Sequence, residues 1–401
     1  MKILQLPQIR CQDNISRITS HNETEKMRKE HQHFNLMTSS RCNELEFADV
    51  REKPSDVREE VIVGRTDEKN KIVAALCKSI NQKFTILPIY GIGGIGKTTF
   101  AKLIYNDFTN FGSYQKVWVN VSQRFYLNKI CDSIISQLPD KENQTNNGQC
   151  LVKLFSGKKT LIVLDDLWED NAFQLEGLKD KLGSGDSINT IVLVTTHSEY
   201  VARKTCANFE PYKIKCLTND MCWEIIKRKS GFEARDDKEN FIVIGREIAL
   251  KCGGLALAAQ SLGFMLKSMT FDKWKEVKDS DIWNESISQD ASLPNRVLAS
   301  LKLSYTYSMD ECLMSCFTYC AIFPKGYNIV KDDLIYQWIS LDFIKPTKML
   351  STIQLCEKYI ARLLGLSFLQ HSMSQTVSFI YAYYYNFFFA IPFLMIDKNL
   401  M

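Results

Sequence analysis

The stretch Phe84–Phe100, FTILPIYGIGGIGKTTF, constrains the chain more than any other. An apolar run ending at Tyr90 leads into Gly91, Gly93, Gly94 and Gly96, with Ile95 between the last two, and then into Lys97, Thr98 and Thr99 at the head of a helix-periodic segment. Glycines at those places let the backbone fold closely around an anion, so that several N–H groups converge on it while the following helix adds positive potential. Strand, glycine turn and helix in this order, with G-x-x-x-x-G-K-[ST] spacing, read as a phosphate-cradling P-loop. Lys97 is then expected to reach the β- and γ-phosphates of a nucleotide, and the Thr98 hydroxyl to sit on Mg²⁺.

The pattern around this loop alternates strands with helices, which predicts an α/β fold built on a doubly wound parallel sheet. Phe100, Leu103 and Ile104 follow helical spacing; Lys116 to Val121 is a second strand, and Leu127, Ile130, Ile134, Ile135 and Leu138 form the apolar face of the next helix. Thr160 to Leu164 is apolar throughout, as a strand covered on both faces requires, and it ends in Asp165-Asp166. An acid delivered at the carboxyl end of such a strand is the Walker B arrangement. Asp165 is expected to hold Mg²⁺ and Asp166 to orient the attacking water. Thr190 to Thr196 is a fourth buried strand; His197 after it either touches a γ-phosphate or is an ordinary loop histidine. Pro88 breaks a rule, since a central strand should not tolerate a missing N–H, and it is expected near the end of its strand. Val61-Ile62-Val63-Gly64-Arg65 and the helix after it close over a nucleotide base or form an edge element.

The rest of the 401 residues divides by composition. Residues 1–56 are polar and read as the end of a helical segment followed by a linker, 57–216 hold the nucleotide domain, and 217–275 are helical with a break at Gly253-Gly254. Residues 276–370 form a further helical block, and 371–401 an irregular hydrophobic tail. Within that tail Thr376 to Ile396 has no charged residue and is long enough to span a bilayer. Its scattered Phe and Tyr, with Asn386 and Pro392, fit an irregular terminus better than an anchor. Fifty basic against 46 acidic residues leave a net charge of +4, which calls for no nucleic-acid partner. Thirteen cysteines, an odd number, without a secretory leader imply free thiols; Cys312, Cys316 and Cys320 share a helical face and read as core thiols rather than a metal site.

Several blocks in order resemble the NB-ARC nucleotide-binding module of plant intracellular immune receptors of the coiled-coil, leucine-rich-repeat family: GIGGIGKTT from Gly91, VWVNVSQ from Val117, LIVLDDLW from Leu161, IVLVTT from Ile191, CGGLALAA from Cys252 and CFTYCAIFPKGYNI from Cys316. The resemblance runs from about Val61 to Gln370. It implies a P-loop sheet domain, a helical domain and a winged-helix domain that close around ADP, open on exchange for ATP, and are reset by slow hydrolysis. It implies a cytoplasmic protein whose partners are nucleotide and other immune receptors or further copies of itself. By the same resemblance Val63 and Arg65 lie near base and ribose, and Cys252 to Leu257, including Leu255 and Ala256, face the adenine. The chain departs from the family pattern at Ala256, where the family has proline, and at His197, where it has arginine. It also departs at Gln370-His371-Ser372-Met373, where a Met-His-Asp sequence is expected.

Two other readings compete with the defence switch. One is a P-loop ATPase of another class, although Asn128-Lys129-Ile130-Cys131 lacks the aspartate of a guanine-specific site and no transporter signature is present. The other is a receptor fragment that binds nucleotide or partner receptors without hydrolysing, at most a slow ATPase.

Overall fold

The computed structural model describes residues 62–78, 82–121, 125–138, 151, 154–183, 187–285, 294–323, 329–347, 349–373 and 378–382. The polar segment 1–56 and most of the apolar 376–396 stretch lie outside the described residues.

Five parallel strands build the central sheet: β1 (Phe84–Tyr90), β2 (Gln115–Asn120), β3 (Lys159–Asp165), β4 (Asn189–Thr196) and β5 (Tyr212–Lys213), in the spatial order β2-β3-β4-β1-β5. Their side chains alternate between two cores, because successive residues of a strand point to opposite faces. Ile86, Val117, Val119, Ile162, Leu164, Val192 and Val194 enter one core, shared with α4 (Leu127–Gln137), α5 (Ala172–Gly183) and α6 (Glu199–Thr205). Leu87, Ile89, Trp118, Leu161, Val163, Ile191 and Leu193 enter the other, with α1 (Thr66–Lys78) and α2 (Lys97–Tyr105). This double burial is why the strands read as unbroken apolar runs.

Pro88 is the fifth of the seven residues of β1, two residues from its end, near the end as the sequence suggested. The neighbouring bonds explain its tolerance. Ile86 exchanges both backbone bonds with Ala207, at 2.9 and 3.3 Å, and Tyr90 accepts from the Ile214 N–H at 3.0 Å. In a parallel strand, alternate residues present their amides to the same side, so Pro88 faces the same edge as Ile86 and Tyr90. There the chain between Ala207 and Tyr212 leaves the sheet before β5 begins. No ladder bond is forfeited.

Beyond β5 the chain is helical: α7 (Asn219–Ser230), α8 (Ile242–Lys251), α9 (Ala256–Leu266) and α10 (Phe271–Asp279). Thr218 caps α7 by accepting from the Met221 N–H, and Gly231, in the left-handed region at φ 66°, ends it. Trp274 is fully buried and donates its indole N–H to the Leu266 carbonyl at 3.2 Å. A last group follows, α11 (Asn295–Ser308), α12 (Glu311–Tyr319), α13 (Lys331–Ser340) and α14 (Thr352–Gly365). It carries an antiparallel three-stranded sheet of β6 (Ile329–Val330), β7 (Leu369–Met373) and β8 (Ser378–Ala382), in the order β6-β8-β7. The tail expected to be irregular from residue 371 is therefore corrected where it is described. Residues 371–373 and 378–382 are strands, because β8 pairs antiparallel with β7 along its length and with β6 at Phe379 and Ile380, a placement that a reading for charge alone does not detect. No helix among the described residues is long and apolar enough to cross a membrane.

Cys316 and Cys320 are buried as expected, but Cys312 is exposed. Burial pushes the Cys320 thiol up to about 12 and keeps it protonated. No cluster of three or more His, Cys, Asp or Glu side chains placed to hold a metal ion occurs among the described residues.

The helical blocks do not form separate cores. The cluster that begins with Ile72, Leu87 and Phe100 under the sheet continues through Trp223, Leu257, Leu262 and Trp274 to Leu301, Phe317, Trp338 and Leu369. Specific joints lock it. Ser261 of α9 and Ser304 of α11 share a buried hydrogen bond of 2.7 Å. The Phe264 ring lies flat on Gly365 of α14, only 2.2 Å from where a β-carbon would stand.

The position of Pro88 gives a test. Pro88→Ala restores an N–H that has no strand to meet, and its main effect is the greater freedom of the unfolded chain. We expect a loss of about 0.4–1 kcal/mol in denaturant unfolding. A gain in stability would show that a ladder acceptor does wait at this position.

Candidate functional site

The carboxyl ends of β1, β3 and β4 converge, and the P-loop bridges from β1 to α2. The loop owes its course to glycine at two places. Gly94 (φ 76°) and Gly96 (φ 104°) occupy the left-handed region, which a side chain would strain. Gly94 also has no room: a β-carbon there would stand 3.1 Å from Val297 and 3.2 Å from Leu257. Ile95 between them is buried. Lys97 folds back over the loop and donates its ammonium to the Gly91 carbonyl at 2.8 Å and the Ile92 carbonyl at 3.2 Å. Its positive charge therefore stands over the loop that is shaped to receive an anion. Gly93 belongs to the turn itself, and Thr99 lies in the first turn of α2.

Asp165 ends β3, at 6% exposure, and its Oδ1 accepts from two hydroxyls: Thr98 Oγ1 at 3.0 Å and Thr195 Oγ1 at 2.5 Å. Thr195 in turn accepts from the Asp166 N–H at 2.8 Å. Asp166 takes a left-handed φ of 62°, which turns the chain sharply away from β3. The strand order produces this relay. Because β4 lies between β3 and β1, the threonine at its end is placed between the acid of β3 and the helix after β1. Thr195 is the functional residue that the sequence reading passed over. The signal was there, at the end of a buried strand beside the acid, but only the strand order shows which hydroxyl meets which carboxylate.

The Asp165 carboxyl lies above its ordinary range. Burial is the main cause; the Thr195 hydroxyl pulls the other way, the Asp166 carboxylate adds to the rise, and the Thr98 hydroxyl again opposes it. A buried carboxylate with two hydroxyls on one oxygen and a like charge beside it is disfavoured until a cation shares the site. The donor set, a carboxylate with a threonine hydroxyl at a helix start, is hard oxygen and suits Mg²⁺. The residues present fit that ion.

The remaining sequence-predicted residues surround the loop. Leu255 is buried, and Ala256 begins α9 with its β-carbon 3.9 Å from where one would stand on Gly96. The Leu257 N–H donates to the Gly94 carbonyl at 3.0 Å. Val63 is half-buried against the main core. Arg65 is buried, with Nη1 donating to Glu68 at 2.7 Å and to the Lys215 carbonyl at 2.8 Å, and Nη2 donating to the Ile95 carbonyl at 3.1 Å. His197 packs against Trp168, with ring centroids 4.1 Å apart and planes tilted by 39°.

Comparison with known proteins places these features. The NB-ARC domain family matches residues 65–237, and the winged helix domain of disease resistance proteins matches residues 322–383. Disease resistance protein RGA2 of Solanum bulbocastanum is 33% identical over 306 residues, covering 73% of this chain and 30% of that protein. Disease resistance protein UNI of Arabidopsis thaliana is 28% identical over 314 residues, covering 75% of this chain and 34% of its own length. The chain thus spans about a third of the relatives it matches. Among solved structures, a signal transduction ATPase with numerous domains from Pyrococcus horikoshii overlaps 88% of this chain and 47% of its own, at 13% identity and a TM-score of 0.49. With two family domains in sequence, a parallel P-loop sheet and plant relatives over most of its length, the chain belongs to the NB-ARC family of plant disease resistance proteins.

Proposed function

We propose that the chain is an ADP- and ATP-binding switch acting in plant defence signalling. The observation that carries this reading is the crowding at Gly94. Its carbonyl bonds to the amide of Leu257 from the helical block, and its missing side chain leaves room for both Leu257 and Val297 of α11. A loop shaped for phosphate is thereby in contact with all three parts of the chain. Any change that phosphate makes in the loop alters their packing. A ligand shifts such an equilibrium only through contacts that differ between states, and this junction supplies them.

In this reading the amides of Gly93 to Thr99 and the Lys97 ammonium hold the phosphates, Thr98 and Asp165 hold Mg²⁺, and Asp166 orients the attacking water. When bound, Mg²⁺ neutralises charge shared by the β- and γ-phosphate oxygens. Thr195 keeps Asp165 and the Asp166 backbone in register. Leu255, Ala256 and Val63 lie toward the base. His197 stands where a γ-phosphate ends, and a neutral imidazole offers it less than a bidentate guanidinium would, which makes turnover slow. We place the protein in the cytoplasm, with partner receptors or further copies of itself as its macromolecular contacts.

One observation favours a version that binds nucleotide without hydrolysing it: the close packing of His197 on Trp168 competes with any reach toward phosphate. Turnover by purified protein decides between them.

Mass spectrometry of nucleotide that co-purifies with the chain is expected to find ADP. Lys97→Ala is expected to lose it, with affinity lowered about a hundredfold or more, since it removes charge-assisted contacts to phosphate. Equal nucleotide content in both proteins would rule out the P-loop assignment. Asp165 makes a second test. Because its carboxylate is disfavoured in the nucleotide-free fold, Asp165→Asn keeps an acceptor for both threonines and removes the buried charge. We expect its nucleotide-free unfolding temperature to rise by about 2–4 °C while the Mg²⁺ dependence of nucleotide binding disappears. A fall in unfolding temperature would mean that the charge is already compensated within the protein.

A further inference from the structure

The segment Lys213–Leu217, which leads from the sheet into the helical block, is gripped from both sides. On the sheet side, the Ile214 N–H donates to the Tyr90 carbonyl at 3.0 Å, and the Ile214 side chain stands 2.7 Å from where a β-carbon of Gly91 would be. On the other, the Leu217 N–H donates to the Gly254 carbonyl at 2.9 Å, and the β-carbon of Cys216 lies 2.7 Å from where one would stand on Gly254. This linker runs between the entrance of the P-loop and the turn before α9.

Arg65 spans the same gap. Its Nη2 holds the Ile95 carbonyl, in the part of the loop that positions the Gly94 and Gly96 peptides, and its Nη1 holds the carbonyl of Lys215 in the linker. Glu68 balances the charge, and Tyr212, stacked on Phe100 of α2 at 5.7 Å, stands against Glu68. The residue before Arg65 is clamped as well: the Met221 sulfur of α7 lies 2.4 Å from where a β-carbon of Gly64 would stand, and Gly64 takes a left-handed φ of 72°. A guanidinium is planar and rigid, with donors in a fixed fork. Two carbonyls bound to its two ends cannot move independently.

We propose that Arg65 is a positioning residue that couples the P-loop to the interdomain linker, so that a shift of the Ile95 peptide on phosphate binding is passed to Lys215 and from there to the packing of the helical block. The nucleotide part of this inference rests on the switch reading above; the mechanical part does not. Arg65 acts through the two backbone segments, on which two of its five N–H donors are spent, with a third on Glu68.

Hydrogen–deuterium exchange on the full chain, with and without ADP and Mg²⁺, tests it. Arg65→Lys keeps the charge, but a single ammonium on a flexible stem cannot hold both carbonyls in the same geometry. Without nucleotide, the variant is expected to exchange about tenfold faster at the amides of Gly96 and Lys97 and at those of Ile214 to Leu217, the two segments rising together. With ADP, the wild type is expected to gain protection in both segments, and the variant in the loop alone. Unchanged exchange at 214–217 in the nucleotide-free variant, or full ADP-dependent protection there in Arg65→Lys, overturns the coupling. If Arg65→Lys does not fold, Glu68→Gln carries the test: it loosens the guanidinium, and about threefold faster exchange is expected in both segments, whereas a rise confined to one overturns the proposal. If ADP protects nothing in the wild type, the switch reading fails, while the linked rise in the nucleotide-free variant still decides the role of Arg65.

Discussion

The structure depends on one continuous apolar core that passes from beneath the P-loop sheet into the last three-stranded sheet without a polar layer between them. Separate domains joined by wet interfaces move independently by default. Here Phe100 of the P-loop helix, Leu257 of α9, Val297 of α11 and Leu369 of β7 belong to the same buried cluster. Close-packed interiors do not deform smoothly, because small displacements cost dispersion contacts outright. A core of this kind therefore has few alternatives: it holds one arrangement, or it separates at its narrowest seam. One seam lies at Gly94, where a single missing side chain lets Leu257 and Val297 approach the loop. A ligand that changes the loop acts on that seam.

The acid pair shows how the same scaffold keeps a site ready at a cost to its own stability. Asp165 is buried, with Thr98 and Thr195 donating to one oxygen, and Asp166 follows it directly. Burial, with the Asp166 charge beside it, raises the Asp165 carboxyl above its ordinary range. A structure selected for stability alone would have placed an amide or an apolar residue there. The Asp166 N–H, Thr195 hydroxyl and Asp165 carboxylate form a polarised chain whose members strengthen one another, an orientation that would suit the Mg²⁺ of the proposed switch.

How much of this was legible in the sequence follows from how local each signal is. The P-loop was legible because strand, glycine turn and helix are consecutive in the chain, and the apolar strands because burial on both faces leaves no alternation to misread. The place of Pro88 near the end of β1 was legible but the reason for its tolerance was not, since that depends on where a segment more than a hundred residues later leaves the sheet. Thr195 was passed over for a related reason: its partner is set by strand order, which no local pattern encodes. Strand β8 was hidden within an uncharged, aromatic-rich stretch whose length suggested a membrane or disorder, and only its pairing with β6 and β7 resolves part of it. Arg65 was expected to lie beside a ribose. Its bonds to Ile95 and Lys215, thirty and 150 residues away, could not be read from the Val-Gly-Arg triplet itself.

The contact between the last helical block and the P-loop also limits what kind of information can cross it. The segment Gln370–Met373 lies in β7 and carries no Met-His-Asp sequence that could meet a phosphate with charge. At Gly94 the side chain that meets the loop from α11 is Val297, an apolar group against a glycine. Such a contact responds to shape and not to charge, since a methyl group does not distinguish one phosphate from two except through the backbone it touches. In the proposed switch, charge is met at Lys97, Thr98 and Asp165, and what passes on to α11 through Val297 is a change of shape. Arg296 reinforces that route: beside Val297, it donates to the Leu250 and Lys251 carbonyls at 3.1 and 3.3 Å, so the end of α11 that senses the loop is also fixed to the end of α8. The contact of α11 with the loop depends on the left-handed turn at Gly94, where a β-carbon would meet both Val297 and Leu257. That requirement ties the fate of all three parts to the conformation of a single residue.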